Sequence, residues 1–173
     1  MLKSHDLVTQ QNIQKEKFAL MFNTVLAMEN AALKRLEYRI NEVSLPEAKQ
    51  QFQHHLEETK EQQKRLQNII TKYNGTPTTE ELGLPLPSYP ESLKKEMESS
   101  MTEGEKELKK TEEDLLVEKA EVVCYNMLIE KSRIFSQGID ALPILEQNLQ
   151  EEQSMINWIE SNCPLMVQQL LSK

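Results

Sequence analysis

Three glutamates stand where helical sequence patterns call for apolar side chains. Phe18, Phe22, Val25, Ala32, Leu36 and Val43 recur in steps of three and four, and the open step between Val25 and Ala32 holds Glu29. Leu116, Ala120, Val123, Met127 and Ile134 leave a similar gap at Glu130, and Leu142, Leu145, Leu149, Ile156 and Ile159 leave one at Glu152. A fourth run, Phe52, Leu56, Leu66 and Ile70, carries Thr59 and Gln63 on its seam, with Glu57 and Lys60 beside it at i, i+3 spacing. A buried carboxylate without a partner is costly or takes up a proton. Three at similar depth therefore require a metal pair, shared protons or cationic side chains. Carboxylate oxygens suit hard metals, and an imidazole adds affinity for iron.

Bundle cores that hold two iron or two manganese ions use one Glu from each of two helices and Glu-x-x-His from each of the other two. No Glu-x-x-His occurs here: one turn after Glu57 stands Lys60, after Glu130 Arg133, and after Glu152 Met155. Two arrangements follow. In one, Lys60 and Arg133 replace the metals and neutralise the buried glutamates directly. In the other, a rebuilt metal site uses Glu29, Glu57, Glu130 and Glu152, with His54, one turn before Glu57, as the imidazole. No glycine-rich phosphate loop and no Ser-His-Asp or Cys-His pattern offers a different chemistry. Cys124 and Cys163 have no CxxC partner and read as reduced thiols.

The elements that must position these residues are helices. The first segment spans about 8 to 43 and stops at Ser44-Leu45-Pro46-Glu47, where Ser44 and Glu47 form a capping box and Pro46 fits the first turn of the next helix. The second ends at Asn74-Gly75. A proline-rich crossover, 74–91, cannot be helix interior. An amphipathic helix marked by Leu93, Met97, Met101 and Leu108 follows, with Gly104 as a kink. The third main segment covers 111 to 137 and closes at Gly138. Asp140 caps the fourth, which Cys163-Pro164 ends, leaving a tail at 161–173. Tight turns inside each pair and a long connection between pairs make two antiparallel hairpins. The expected fold is all-α, a ferritin-like four-helix bundle with one extra amphipathic helix, in a single domain over 1–173.

Composition excludes several classes. Twenty basic against 28 acidic residues give a net charge of −8, which argues against nucleic acid as partner. Four glycines and 5% aromatic residues disfavour a sandwich or barrel. No apolar run reaches membrane-spanning length and the first residues lack an apolar signal core, so a cytoplasmic protein without a membrane partner is expected.

The stretch Phe52-Gln53-His54-His55-Leu56-Glu57-Glu58-Thr59-Lys60 through Leu66 resembles the second helix of the YciE/YciF-type bacterial stress proteins. Phe18 and Glu29 lie at matching separations from it, Glu130 to Gly138 is similar to that family's third-helix stretch, and Leu149-Gln150-Glu151-Glu152 is similar to its Leu-x-Glu-Glu. The resemblance implies a ferritin-like bundle, a homodimer, a two-metal carboxylate site and a role in stress. It carries Glu29, Glu57, Glu130 and Glu152 over as family carboxylates, with Lys60 where the family has His, and Lys131 and Arg133 where it has His and Glu. Two functions are expected from this. One is a non-catalytic stress-type bundle with a degenerate site and no cofactor. The other is a di-iron or di-manganese protein, of oxidase or peroxidase type, handling iron or peroxide.

Overall fold

The computed structural model describes the backbone of residues 4–134 and 138–172, with side chains from Lys15 onward in those ranges. The described chain forms helices α1 (Ser4–Glu42), α2 (Pro46–Lys72), α3 (Glu91–Ser100), α4 (Glu103–Ile134) and α5 (Leu142–Leu171), with a single 3-10 turn at Ile139–Ala141 before α5. Helices α1 and α2 make one hairpin and α4 and α5 the other. The two hairpins close into an all-α four-helix bundle, with α3 as the additional helix.

The expected faces of α1, α2 and α5 hold. Phe18, Phe22, Val25, Ala32, Leu36 and Val43 are buried, as are Phe52, Leu66 and Ile70, and Leu145, Ile156 and Ile159. These residues form two apolar clusters at different heights. Phe18, Phe22, Leu26, Leu66, Ile70, Leu128 and Leu145 belong to one, and Leu36, Phe52, Met155, Ile159 and Leu170 to the other. Trp158 packs part-buried against the second.

Several boundaries differ from the sequence reading. Ser44 does not cap α2. Its amide and hydroxyl both donate to Glu107 of α4, at 2.9 and 2.6 Å, and Leu45 occupies the cap position. Asp140 does not cap the last helix either; it pairs with Lys72 at 3.0 Å. Helix α5 runs through Pro164 to Leu171, because the lost main-chain hydrogen bond is offset by burial of Met166 and Leu170. Leu108 and Gly104 belong to α4, whose first turn is closed by a reciprocal box between Thr102 and Glu105. The expected end of the third main segment at Gln137 lies outside the described residues.

The crossover is laid along α1. Asn23 clasps it from both sides, donating to Thr76 O at 2.9 Å and accepting from Thr78 N at 2.8 Å. Asn30 donates to Glu80 O at 2.9 Å, and Leu82 N reaches Ala27 O at 2.9 Å. Among the described residues, no helix is long and apolar enough to cross a membrane.

Candidate metal centre

Between the two apolar clusters the bundle has a polar layer. Glu29 of α1, His55, Thr59 and Gln62 of α2, Glu118, Glu121 and Tyr125 of α4, and Asn148 and Glu152 of α5 all point inward, and none is more than 4% exposed. On α2 the inward positions 52, 55, 59, 62 and 66 follow one helical stripe, and its middle three residues are polar. On α4 the stripe Asp114, Val117, Glu118, Glu121, Tyr125, Leu128 and Ser132 does the same.

His55 is the hub. Its Nε2 lies 3.0 Å from Glu118 Oε2 and 3.4 Å from Glu152 Oε2, while its Nδ1 lies 3.0 Å from Glu58 Oε2. Glu152 also accepts a 2.5 Å hydrogen bond from Gln62 Nε2. Tyr125 donates to Glu29 and accepts from Asn148 Nδ2 at 2.9 Å. Asn148 in turn accepts from Arg65, whose guanidinium grips Glu151 through two 2.9 Å bonds. Glu58 leads outward to the solvent-exposed His54 at 3.2 Å.

Charge in this layer is strained by burial. Loss of water pushes the Glu29 carboxyl well above its usual range, and the neighbouring Glu152 adds to the push. Burial likewise raises Glu121, reinforced by Glu152 and Glu29, and lifts Glu118 to about 7. Burial disfavours a charged imidazole at His55, but Glu118 and Glu152 outweigh it and hold the ring protonated well above its ordinary range. The phenol of Tyr125, sealed beside Glu29, is pushed up and stays neutral.

The layer has acceptors to spare. Glu29 Oε2, Gln62 Oε1 and Glu121 Oε1 are buried without a hydrogen-bond partner, and the Oε2 atoms of Glu118 and Glu152 both face the His55 ring. A native core rarely leaves so many acceptors unmet; protons held on the raised carboxyls or a cation would satisfy them. One ligand atom from each of His55, Glu118 and Glu152 falls within 4.8 Å of the others, a spacing one ion can bridge. Carboxylate oxygens with a single imidazole suit manganese or iron better than soft metals.

Two of the residues singled out from sequence lie in this site. Glu29 and Glu152 are in it. Glu130, Glu57, His54, Lys60 and Arg133 are not. Glu130 and Arg133 pair with each other on the surface, Glu57 pairs with Lys60 at 2.6 Å across exposed α2, and His54 is 66% exposed. Neutralisation of the buried glutamates is therefore not the work of Lys60 and Arg133; His55 supplies the positive charge. The error is one of phase. Glu57 sits two residues past His55, about 200° round the helix at 100° per residue. On α4 the apolar run that suggested the inner face is the outer one, because the true inner face carries Asp114, Glu118 and Glu121. The missed residues do have a signal, since Glu118, Glu121 and Tyr125 recur at i, i+3 and i+7.

A family model described as a domain of unknown function, DUF892, matches residues 14–172. The chain belongs to the DUF892 family. No curated protein matches it. A crystal structure of a protein from Xanthomonas campestris pv. campestris is similar over 91% of this chain and 96% of that one, with a TM-score of 0.72 and 22% identity. At that identity the likeness speaks to the fold, and the ferritin-like bundle of DUF892 is the fold seen here.

Proposed function

We propose that this DUF892 protein binds a divalent metal ion in its polar layer, through His55, Glu118 and Glu152, with Glu29 and Glu121 as adjoining carboxylates. The observation that carries this reading is the set of buried acceptors without hydrogen-bond partners converging from α1, α2, α4 and α5. Without an ion, the His55 imidazolium takes the central positive place. An ion would be held by His55 through a deprotonated Nε2, with Nδ1 kept in place by Glu58. Gln62 orients Glu152, and Tyr125 with Asn148 orients Glu29.

The bound ion would supply Lewis acidity and, as iron or manganese, one-electron chemistry. The chain's own contribution is a dry, rigid layer. The apolar clusters on either side exclude water, and Tyr125 keeps its proton on the bond to Glu29. The likeness of helix two to YciE/YciF supports a stress-associated role for such a site. The recipe for a pair of ions, with Glu-x-x-His on two helices, is incomplete, since Thr59 and Gln62 occupy the inward i, i+3 positions of α2 and Met155 follows Glu152 by one turn. That supports one ion rather than a pair.

The test is metal titration of stripped protein with Mn²⁺ and Co²⁺, followed by calorimetry, with the Co²⁺ visible spectrum reporting mixed nitrogen and oxygen ligands. One ion per chain, lost in His55→Ala, is expected. No uptake by folded protein overturns the reading, and two ions per chain would restore the paired site.

A further inference from the structure

Arg39 is a buried cation with most of its donors unmet. It is 1% exposed, and its Nε donates to Asp114 Oδ2 at 2.6 Å. The other oxygen of Asp114 already accepts from Arg35 Nε at 2.8 Å. The Phe52 ring stands 5.4 Å from the guanidinium carbon and offers only its π face. That leaves Nη1 and Nη2, both buried without a hydrogen-bond partner. Two charged donors side by side in the interior are costly unless something accepts from them. The layer around His55 has acceptors without donors; Arg39 has donors without an acceptor. Glu29 lies ten residues earlier on α1, about 15 Å along the helix axis, so the two places are separate.

Arg39 borders a cavity of about 750 Å³ where α1 stops, α4 begins and α5 ends. That volume suits a small organic molecule. Two helix ends give the cavity both electrical signs. The first turn of α4 at Glu103 and Gly104 brings the positive end of one helix dipole, and Leu170 and Leu171 bring the negative end of another. The side chains repeat the mixture. Lys106 and Lys110 line the cavity with Arg39, but each has a carboxylate of its own, in Glu103 at 2.7 Å and in Glu42. Glu105 and Glu107 also line it. Among the lining cations Arg39 is the one whose terminal nitrogens call for an anion, and a multiply charged anion would meet four carboxylates on its way in. A molecule that carries one carboxylate and one ammonium meets both signs.

We propose that this cavity binds a small zwitterion, an α-amino acid. Its carboxylate accepts from Nη1 and Nη2 of Arg39, whose planar fork matches two oxygens at once. Its ammonium lies by Glu42, one turn along α1 from Arg39, a separation suited to two charged groups on neighbouring atoms. Leu170 and Leu171 supply an apolar wall for the side chain. The two nitrogens are sealed from water in the ligand-free chain, so binding includes a rotamer adjustment of the lining side chains, of the kind binding sites ordinarily make. Asp114 holds the Nε edge and thereby fixes which edge of the guanidinium is left for the ligand.

NMR amide spectra of the full chain, titrated separately with L-leucine, acetate, methylammonium and inorganic phosphate, test this. L-Leucine should give saturable shifts at the amides of Glu42 and Gly104. Acetate and methylammonium, each with half of the charge pattern, should bind at least about tenfold more weakly, and phosphate should give no saturable shift. Arg39→Lys keeps a cation for Asp114 but loses the fork, and should weaken L-leucine by about tenfold or more. Glu42→Gln, on the rim, should weaken L-leucine several-fold and leave acetate unchanged. Thermal melts report whether each variant is folded; should Arg39→Lys not fold, Glu42→Gln and the wild-type titrations decide. No saturable shift with L-leucine, or undiminished binding by folded Arg39→Lys, overturns the site. Acetate or phosphate binding as tightly as L-leucine, or Glu42→Gln without effect, overturns the zwitterion as its ligand.

Discussion

His55 Nε2 lies 3.0 Å from Glu118 Oε2, with both side chains sealed from solvent and drawn from different hairpins of the bundle. This contact is one electrostatic joint between the α1–α2 and α4–α5 halves, beside the buried Arg39–Asp114 pair at 2.6 Å. Replacing His55 with Ala leaves Glu118 and Glu152 buried beside no cation. Breaking a buried pair in this way typically costs about 3–5 kcal/mol. Urea unfolding of metal-free protein should show a loss of that order. A loss under about 1 kcal/mol would mean that the carboxylates lie in water, since a surface pair contributes no more than that.

The pH dependence of metal-free protein should run opposite to that of an ordinary acidic chain. Glu118 is raised to about 7, and Glu29 and Glu121 are raised above the usual 4.5, so above that pH the folded chain holds protons that the unfolded chain has released. His55 acts in the same direction. Its contribution is complete below the unfolded value of 6.5 and is lost as pH rises through the higher folded value. Stability therefore falls as pH rises from about 5 to about 8. Denaturation midpoints measured across that range check the sign. Metal affinity should rise over the same interval, because the ion takes the place of the protons.

Lys60→Ala and Arg133→Ala should change stability by no more than about 0.5 kcal/mol each, the scale of ordinary surface substitutions. Both side chains make exposed ion pairs within one helix, to Glu57 and to Glu130. Melting curves of the two variants against wild type decide this. A large loss for either would put it back among the buried carboxylates.

Gly104→Ala should destabilise the lower end of the bundle. A Cβ at this position would stand 2.2 Å from Leu170 O, where the start of α4 and the end of α5 touch. Main chain cannot yield as a flexible side chain can, so a cost of about 1–3 kcal/mol is expected. Gly83→Ala, where a Cβ meets nothing within 4 Å, is the matched control. Equal stability of the two variants would show that the ends are not in contact.

The helices were legible in the sequence because most of their inward stripes are apolar. Phe18 to Val43, Phe52 to Ile70 and Leu145 to Ile159 repeat at the helical period, and the two short connections and one long one define the hairpins. Glu29 and Glu152 were legible as gaps in those stripes. Glu118, Glu121 and His55 were not. On α4 and in the middle of α2 many of the inward residues are charged or polar, so hydropathy is a poor guide to the core face. The apolar residues of α4 gave a clear period with the wrong face. Period alone says that a helix has a preferred side; it does not say what that side meets. By itself the chain determined how many helices there are and in what order they turn back. Which face of α4 meets the other three, and hence which acids share His55, was decided only by packing. The reason is physical: a carboxylate is tolerated inside when charges from other helices arrive to hold it, and those neighbours are far away along the chain.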